Sequence, residues 1–568
     1  MTPPLRSPMP TDVAALPMPP RPVEVHVEAT RATDPAIAVV IVTWNRRQAV
    51  GDVLAALARQ TYPGARLDVA VIDNASTDGA TEFLIDRWRP DRVIDNPTPE
   101  ADQPDFRPRE APTGTGNLGR FRSLTIVRNS VNHGGCGGFN TGLAFVEQRL
   151  DTPGTGCDRP AYVWLVDDDV DLPADALRRL VTTGESDPRI GLVGSRTVDF
   201  HDRATTLETT IYFDAAEGRM TPDAPAGHRL HAEHRAWAAR AGGTRGPRPF
   251  TGVREVDVVS ACSLLARWSA VKKVGFWDRR FFIYCDDADW CLRFGRAGYR
   301  VVCDLDAVVY HTYWIQKLTP ARAYYSERNR LWMSQKVMTR DRLRRAIVRA
   351  TGGMLLASRK AATHCRLFHA EILRRTVHDL VTGRGGKLND EGPPFRPLLD
   401  CLERAGALRP GAEVLVMCSH AESIAWADDL RARLTHAMID AGRLHLQPRW
   451  TYLVRDGVPD PARDRAPANQ PARVTFTPNR RSKWRVQGGW FRRPPSAVVV
   501  FDQHNDFPLI RSRWNIHVDR RRPNEAQAER DGLWLRVRFF ARWGATMVRS
   551  AWHGIRVKPA SGAGGKYG

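Results

Sequence analysis

Two acidic clusters and one histidine carry the chemistry that is legible in this 568-residue chain. The first is Asp167-Asp168-Asp169 in VWLVDDDVDLP, delivered by an apolar run. The second is Asp286-Asp287-Ala288-Asp289 in FFIYCDDADWCLRFGRAGY, and His311 follows it after AVVY. Adjacent carboxylates repel one another unless a cation or hydrogen bonds compensate. A departing diphosphate needs a divalent cation held by hard oxygen ligands, and an attacking hydroxyl needs a carboxylate to take its proton. In this order the features read as a metal-diphosphate site followed by a general base. Asp169 is expected to ligate directly, with Asp167 on the metal or a ribose and His311 completing the shell as a neutral imidazole. One of Asp286 and Asp287 is expected beside the acceptor hydroxyl. The alternatives are an exposed acidic turn for the first cluster and helix capping for the second. Capping accounts for one aspartate, not for three in four positions.

The elements that must position these residues show in the apolar periodicity. AIAVVIVTWN (36–45), LDVAVIDNAS (67–76), SLTIVRN (123–129) and YVWLVDD (162–168) read as buried strands. RQAVGDVLAALARQ (47–60), GFNTGLAFVEQRL (138–150) and PADALRRLV (173–181) read as helices. The alternation predicts a mostly parallel sheet covered on both faces, with ligands outside its C-terminal strand ends. Thr43, Asn45 and Arg46, then Asp73 and Asn74, then Asp167 to Asp169 all fall there. A carboxylate and an amide so placed suit a base edge and a ribose hydroxyl, although both are also ordinary turn residues. The glycine-rich NHGGCGGFNTG (132–142), with Gly137 and Gly138, would let a phosphate approach a helix N-terminus, although such turns are common. Arg128, at the end of the third strand, and Asp168 join the donor-binding candidates. Segments 96–122 and 214–252 interrupt the pattern, and the second is expected to be a mobile, basic loop near the site.

The formal charge of +21 implies an acidic partner, whether nucleic acid, anionic lipid or a phosphate-bearing substrate. An arginine-rich genome would give the same bias. No zinc pattern, aromatic RNA-recognition motif or basic recognition helix is present, so nucleic acid is not the expected partner. The nine cysteines include no Cys-x-x-Cys pair, which suits a reducing compartment. No apolar run reaches the roughly 18–20 residues of a membrane span, and the first residues lack a signal core. These features predict a cytoplasmic protein that meets a membrane only at its surface. The composition divides the chain into a Pro-rich leader (1–34), a catalytic domain (35–335), a basic helical segment (336–382), a linker (383–396) and a C-terminal α/β unit (397–568). In LWLRVRFFARWGATMVRSAW (533–552), Arg538, Arg542 and Arg549 oppose Phe540, Trp543 and Met547 on a helical wheel, with Arg536 on the apolar side. That is the pattern of an interfacial helix on anionic lipid or of a packed helix with a solvated basic face.

Over roughly 36–335 the chain resembles family 2 of the inverting glycosyltransferases, and within it the bacterial galactofuranosyl- and rhamnosyltransferases. The triple aspartate, the Asp-Asp-Ala-Asp-aromatic stretch, the placement of His311 twenty-five residues after Asp286, and YYSERNRLW (324–332) carry the resemblance. It implies the GT-A nucleotide-diphospho-sugar transferase fold, an α/β architecture with a mostly parallel sheet flanked by helices. A helical segment and a smaller C-terminal α/β unit would follow. It further implies Asp287 as base, Asp286 as an acceptor contact, Asp167, Asp169 and His311 around Mn²⁺ or Mg²⁺, and Thr43, Asn45, Asp73 and Asn74 on the nucleotide. The implied reaction moves galactofuranose from a UDP-sugar to a glycan or lipid-linked acceptor in cell-surface polysaccharide synthesis, at the inner face of the membrane. Rhamnose from a dTDP donor is the alternative sugar. A non-catalytic glycan- or nucleotide-binding module of an assembly complex is the alternative class, though such a module has no use for a base. Ser260-Ala261-Cys262 stand where the galactofuranosyl polymerases carry adjacent tryptophans.

Overall fold

The computed structural model describes residues 34–98, 104–109, 116–151, 158–312, 320–364, 366–389, 392–418, 420–459, 471–501, 510, 512–518 and 524–556. The Pro-rich leader, Asp34 excepted, lies outside the described residues.

The first unit starts with β1 (Ile37–Thr43), α1 (Arg47–Ala58), β2 (Leu67–Asp73), α2 (Ala80–Trp88), β3 (Arg92–Asn96), β4 (Arg107–Arg109), β5 (Ser123–Asn129) and α3 (Gly134–Phe145). It continues with β6 (Tyr162–Asp167), β7 (Val170–Asp171), α4 (Ala176–Glu185), β8 (Ile190–Asp199), β9 (Thr206–Glu208), β10 (Tyr212–Asp214), β11 (Arg219–Thr221) and α5 (His231–Ala241). It ends with β12 (Val253–Val256), β13 (Ser263–Arg267), α6 (Trp268–Val274), α7 (Asp286–Arg296) and β14 (Arg300–His311). Ten strands run in the order β12-β14-β8-β13-β6-β1-β2-β5-β3-β4, with β7 and β9 paired at one end. β6, β1, β2, β5 and β3 are mutually parallel, whereas β13 runs antiparallel between β6 and β8. Side chains alternate across a strand, so Ile37, Val39 and Ile41 of β1 join one apolar layer and Ala38 and Val40 the other. The unbroken apolar run in β1 is what a sheet covered on both faces requires.

Helix α3 lies directly on β1. A Cβ at Gly138 would press into Val42 Cγ1, and one at Gly142 into Val40 Cγ1. Gly142→Ala is expected to destabilise the domain by about 1–3 kcal/mol, the usual range for overpacking, read as a lowered midpoint in urea denaturation. Segment 214–252, expected as a loop, folds instead. The β10–β11 hairpin and α5 pack through buried Tyr212, Phe213, Trp237 and Phe250. Only His234 and Trp237 of α5 are buried, so its sequence carries almost no periodic signal. The segment does reach the site, through Arg219 and Arg245.

Three helices follow, α8 (Pro320–Val337), α9 (Arg340–Thr363) and α10 (Leu367–Thr382). The second unit contains β15 (Phe395–Pro397), α11 (Leu398–Arg404), β16 (Glu413–Cys418), α12 (Ala421–Asp440), β17 (Arg449–Arg455), β18 (Ala472–Phe476) and α13 (Arg480–Arg492). It closes with β19 (Ala497–Val500), β20 (Trp514–Val518), β21 (Glu525–Arg530) and α14 (Leu533–Arg556). Its sheet runs β15-β21-β20-β19-β16-β17-β18, parallel from β20 to β18, with apolar clusters on both faces. The strand order reverses between β16 and β19, as in doubly wound sheets. The architecture is therefore a mostly parallel sheet flanked by helices, then a helical segment and a smaller α/β unit. Glu529 joins the units by accepting from the Leu367 and Phe368 amides at the start of α10, at 2.8 and 2.6 Å. Among the described residues no helix is long and apolar enough to cross a membrane, and the seven described cysteines form no disulfide.

Candidate active site

The C-terminal ends of β1 and β6 open into a cavity of about 1290 Å³. Strand β6 ends at Asp167, and the turn Asp168-Asp169 leads into β7. The two residues of β7 pair antiparallel with the end of β14, Val170 against His311 and Asp171 against Tyr310. This short ladder sets the imidazole beside the carboxylates. His311 Nε2 is 3.1 Å from Asp169 Oδ1 and 3.9 Å from Asp167 Oδ2. One donor atom from each of Asp167, Asp169 and His311 lies within 4.8 Å of the others. A cation with bonds of ~2.1 Å holds opposed ligands ~4.2 Å apart, so the trio needs only small adjustments to close on one ion. Two carboxylates and an imidazole suit Mn²⁺ and accommodate Mg²⁺.

Asp168 turns away from that trio. Its Oδ2 accepts from Thr43 Oγ1 at 2.8 Å and its Oδ1 from Arg46 at 3.1 Å. Arg46 also reaches Asp169 at 2.6 Å, so a single guanidinium bridges two of the three aspartates. Burial pushes the Asp168 carboxyl up to about 6 against the pull of Arg46. Thr43 and Asp168 thus tie β1 to β6 beneath the site. Asn45, with φ of 53°, accepts from the Thr77 amide at 2.6 Å. Trp44 beside it is 47% exposed and lines the cavity.

Asp286 and Asp287 open α7 and face the same cavity. Asp287 Oδ1 accepts from the Ala288 amide at 2.7 Å and Oδ2 from the Ala261 amide at 3.3 Å. Burial outweighs these bonds and pushes its carboxyl up to about 6, with Asp167 adding repulsion. Burial and the neighbouring Asp287 push Asp286 well above the usual carboxylate range. Asp289 does not share the site. It is 2% exposed and pairs with Lys336 at 2.7 Å and Arg293 at 3.1 Å. Of the three aspartates in this stretch, two face the cavity and the third anchors the helix.

The strap that carries Asp286 is strained and held from behind. Phe282, Tyr284 and Cys285 all have left-handed φ, near 67°, 67° and 58°, a conformation that costs non-glycine residues of order 1–3 kcal/mol each. Asn329 Nδ2 meets the carbonyls of Phe281, Ile283 and Tyr284 at 2.8–2.9 Å. Arg328, fully buried, donates to the Arg280 and Phe281 carbonyls and stacks on Tyr324 and Trp332. It also donates to the Gly386 carbonyl at 3.3 Å, so the described part of segment 383–396, read from composition as a linker, packs against the strap. In the sequence these residues stand out only as part of the family pattern YYSERNRLW, which carries no sign of this role. A buried guanidinium without its carbonyls, or carbonyls without their guanidinium, is costly. Arg328→Met is expected to lower the thermal midpoint and to reduce activity together with it, by loosening the strap.

Several other donor-binding candidates point elsewhere. Asp73 accepts from Thr81 Oγ1 and from the Ser76 amide at 2.8 Å, so it shapes the loop after β2 rather than lining the cavity. Arg128 lies 3.6 Å from Asp95 on the neighbouring strand and does not line it either. Gly137 and Gly138 are buried within α3, where Gly138 permits contact with β1. Gly134 and Gly135 line the cavity instead. Gly134 (φ 75°) lies so close to the Phe282 carbonyl that a Cβ would overlap it. Asn74 lines the cavity, with its amide bonded to Asn132, Gly134 and Asn129. Three glutamates not anticipated from sequence, Glu208, Glu217 and Glu327, and the arginines Arg322, Arg330 and Arg349 complete the walls. Burial raises the carboxyl of Glu208, opposed by Arg245.

No protein-family model matches the sequence, and no curated protein matches it. Among solved structures, a mannosyltransferase from Pyrobaculum calidifontis in complex with GDP-mannose and Mn²⁺ is similar at 17% identity and a TM-score of 0.34, over 65% of this chain and 80% of that one. GalNAc-T7 with UDP, GalNAc and Mn²⁺ is similar at 11% identity and a TM-score of 0.34, over 54% and 49% of the two chains. Residues 1–349 of TarS from S. aureus are similar at 13% identity and a TM-score of 0.35, over 61% and 81%. Similarity this distant leaves the function to be read from the site.

Proposed function

We propose that the chain is a metal-dependent glycosyltransferase that moves a sugar from a nucleoside-diphosphate donor to a hydroxyl acceptor with inversion. The observation that carries this reading is the meeting, in one cavity, of the Asp167–Asp169–His311 trio with the half-buried, amide-held Asp287. Asp167, Asp169 and His311 would hold Mn²⁺ or Mg²⁺, and that cation supplies the positive charge that steadies a departing diphosphate. Asp287 accepts the proton of the acceptor hydroxyl, whose oxygen attacks the anomeric carbon as the bond to the diphosphate oxygen breaks on the opposite face. One displacement needs no covalent nucleophile. Asp286 hydrogen-bonds the acceptor, its carboxyl, raised by burial and by Asp287, offering an O–H where a second carboxylate would repel. Thr43, Asn45, Arg46 and Asn74 frame the nucleotide end, and the exposed Trp44 ring offers a stacking face for the base.

The favoured donor is UDP-galactofuranose, with dTDP-rhamnose next, on the resemblance of residues 281–332. The acceptor is a glycan or a lipid-linked glycan whose phosphates suit Arg219, Arg322, Arg330 and Arg349 along the cavity. Release of nucleoside diphosphate from UDP-galactofuranose and from dTDP-rhamnose, with Mn²⁺ and a polysaccharide or polyprenyl-diphosphate-sugar acceptor, tests this directly. Turnover of the UDP-sugar alone assigns galactofuranose, and turnover of the dTDP-sugar alone reassigns the donor. Nucleotide binding without turnover of any sugar donor would favour the binding-module reading.

A further inference from the structure

Helix α14 has three longitudinal faces, not the two that its sequence suggests. At 100° per residue, Phe539, Trp543, Thr546, Ser550 and Gly554 share one stripe, and this is the packed seam. Phe539 sits among Ala361, Ala362 and Ala370, and Trp543 donates its indole N–H to the Leu355 carbonyl at 3.0 Å. Arg374 reaches Thr546 Oγ1 at 2.9 Å. Trp543 is therefore committed to the protein, while Phe540 and Met547, grouped with it on the wheel, are exposed. Beside the seam runs a basic stripe of Arg538, Arg542 and Arg549, two of them tethered to α10 through Glu371 and His378. The third stripe is apolar and faces outward. Leu533 is 67% exposed, Trp534 81%, Val537 49% and Val548 66%.

Soluble surfaces rarely present an apolar stripe of this length. Neighbouring α9 extends it. Val348 and Leu356 are 52% and 45% exposed, and a Cβ on Gly554 would touch Val348. By sequence α9 carries seven basic residues and α14 five, against one acidic residue, Asp341, and of these Arg349 pairs with Glu217, Arg536 with Asp531 and Arg542 with Glu371. Self-association through this face would set arginine against arginine. An anionic bilayer offers both complements, acyl chains for the tryptophan and leucine and headgroup phosphates for the arginines.

We propose that the exposed face of α14, with the adjoining edge of α9, docks on an anionic lipid bilayer, with α14 lying in the headgroup plane. The docking claim stands independently of the transfer reading. One consequence does rest on that reading. Helix α9 also walls the cavity through Ala346, Arg349 and Ala350, so one helix joins the docked face to the cavity, and a lipid-linked acceptor would be drawn from the same membrane.

The test is co-sedimentation of the full chain with vesicles of phosphatidylglycerol and phosphatidylcholine, against vesicles of phosphatidylcholine alone. Binding is expected to the anionic vesicles, at least tenfold weaker to the neutral ones, and weakened by 0.5 M salt (roughly a 4–5 Å Debye length). The double variant Trp534→Ser/Val548→Ser, both positions being solvent-exposed, is expected to lose at least tenfold in partitioning with its thermal midpoint unchanged, and Arg538→Glu to lose a similar factor. Failure of the folded chain to bind anionic vesicles, or equal binding by the double variant, overturns the proposal. So does a concentration-dependent dimer that the double variant abolishes, since the face would then belong to a second copy. Donor binding measured on the same samples separates any of these outcomes from a failure of the transfer reading.

Discussion

Asp287→Asn is expected to lower the transfer rate by about 10²–10⁴-fold, the range for a general base, while donor binding in the presence of Mn²⁺ stays within a few-fold. The one side-chain oxygen of the variant can keep the shorter bond from the Ala288 amide at the start of α7 and gives up the longer one from Ala261, and an amide takes up no proton at neutral pH. The pH profile carries the same information. Burial holds the Asp287 carboxyl at about 6, so the active carboxylate form declines as pH falls through 6. The rate should lose about tenfold per pH unit below that point, and the Asn variant should lack this acid limb. Linkage fixes the sign for stability. A folded-state carboxyl raised above its unfolded value binds its proton more tightly when folded, so ionised Asp287 costs stability above pH 6, and the cost disappears below about 4. The stability of Asp287→Asn relative to the parent should therefore be greater at pH 8 than at pH 4. Thermal unfolding at the two pH values measures it. A variant that turned over normally would remove Asp287 from the chemistry.

The second large effect is expected at the metal trio. Asp169→Ala removes the carboxylate that lies 3.1 Å from His311 and 2.6 Å from Arg46. Mn²⁺-dependent strengthening of UDP binding should fall on the order of 100-fold, equivalent to about 3 kcal/mol. Metal-free binding should change little, because Thr43, Asn45 and Asn74 are untouched. His311→Ala is expected to act in the same direction. Asp168→Ala should behave differently, since Asp168 bonds Thr43 and Arg46 beneath the site. Its loss should lower the thermal midpoint as well as affinity. Calorimetry with and without Mn²⁺ separates the two patterns.

The strands of the first sheet are legible because their apolar runs are long and end in polar residues. The triple aspartate and Asp286-Asp287 stand out because so many carboxylates in so few positions need a reason. What the sequence hides is direction. Spacing cannot show that Asp168 points to Thr43 while Asp169 points to His311, nor that Asp289 turns from the cavity to Lys336. The partners that decide this lie more than a hundred residues away in one case and forty-seven in the other. Gly137 and Gly138 read as a phosphate cradle because close backbone approach leaves the same signature whether the neighbour is a ligand or a strand. Here the neighbour of Gly138 is Val42. Helix α5 was hidden for the opposite reason, since it buries only His234 and Trp237 and shows no apolar period. In α14 a two-sided wheel missed the third face, because a helix that packs on protein along one seam and presents apolar residues along another has no single polar side.

The most direct measurement is calorimetric titration of the full chain with UDP, dTDP and GDP, each with and without Mn²⁺. Binding of UDP or dTDP that requires Mn²⁺, and that Asp169→Ala abolishes, is the predicted result. A folded chain that binds no nucleoside diphosphate in the presence of Mn²⁺ would contradict the transferase reading.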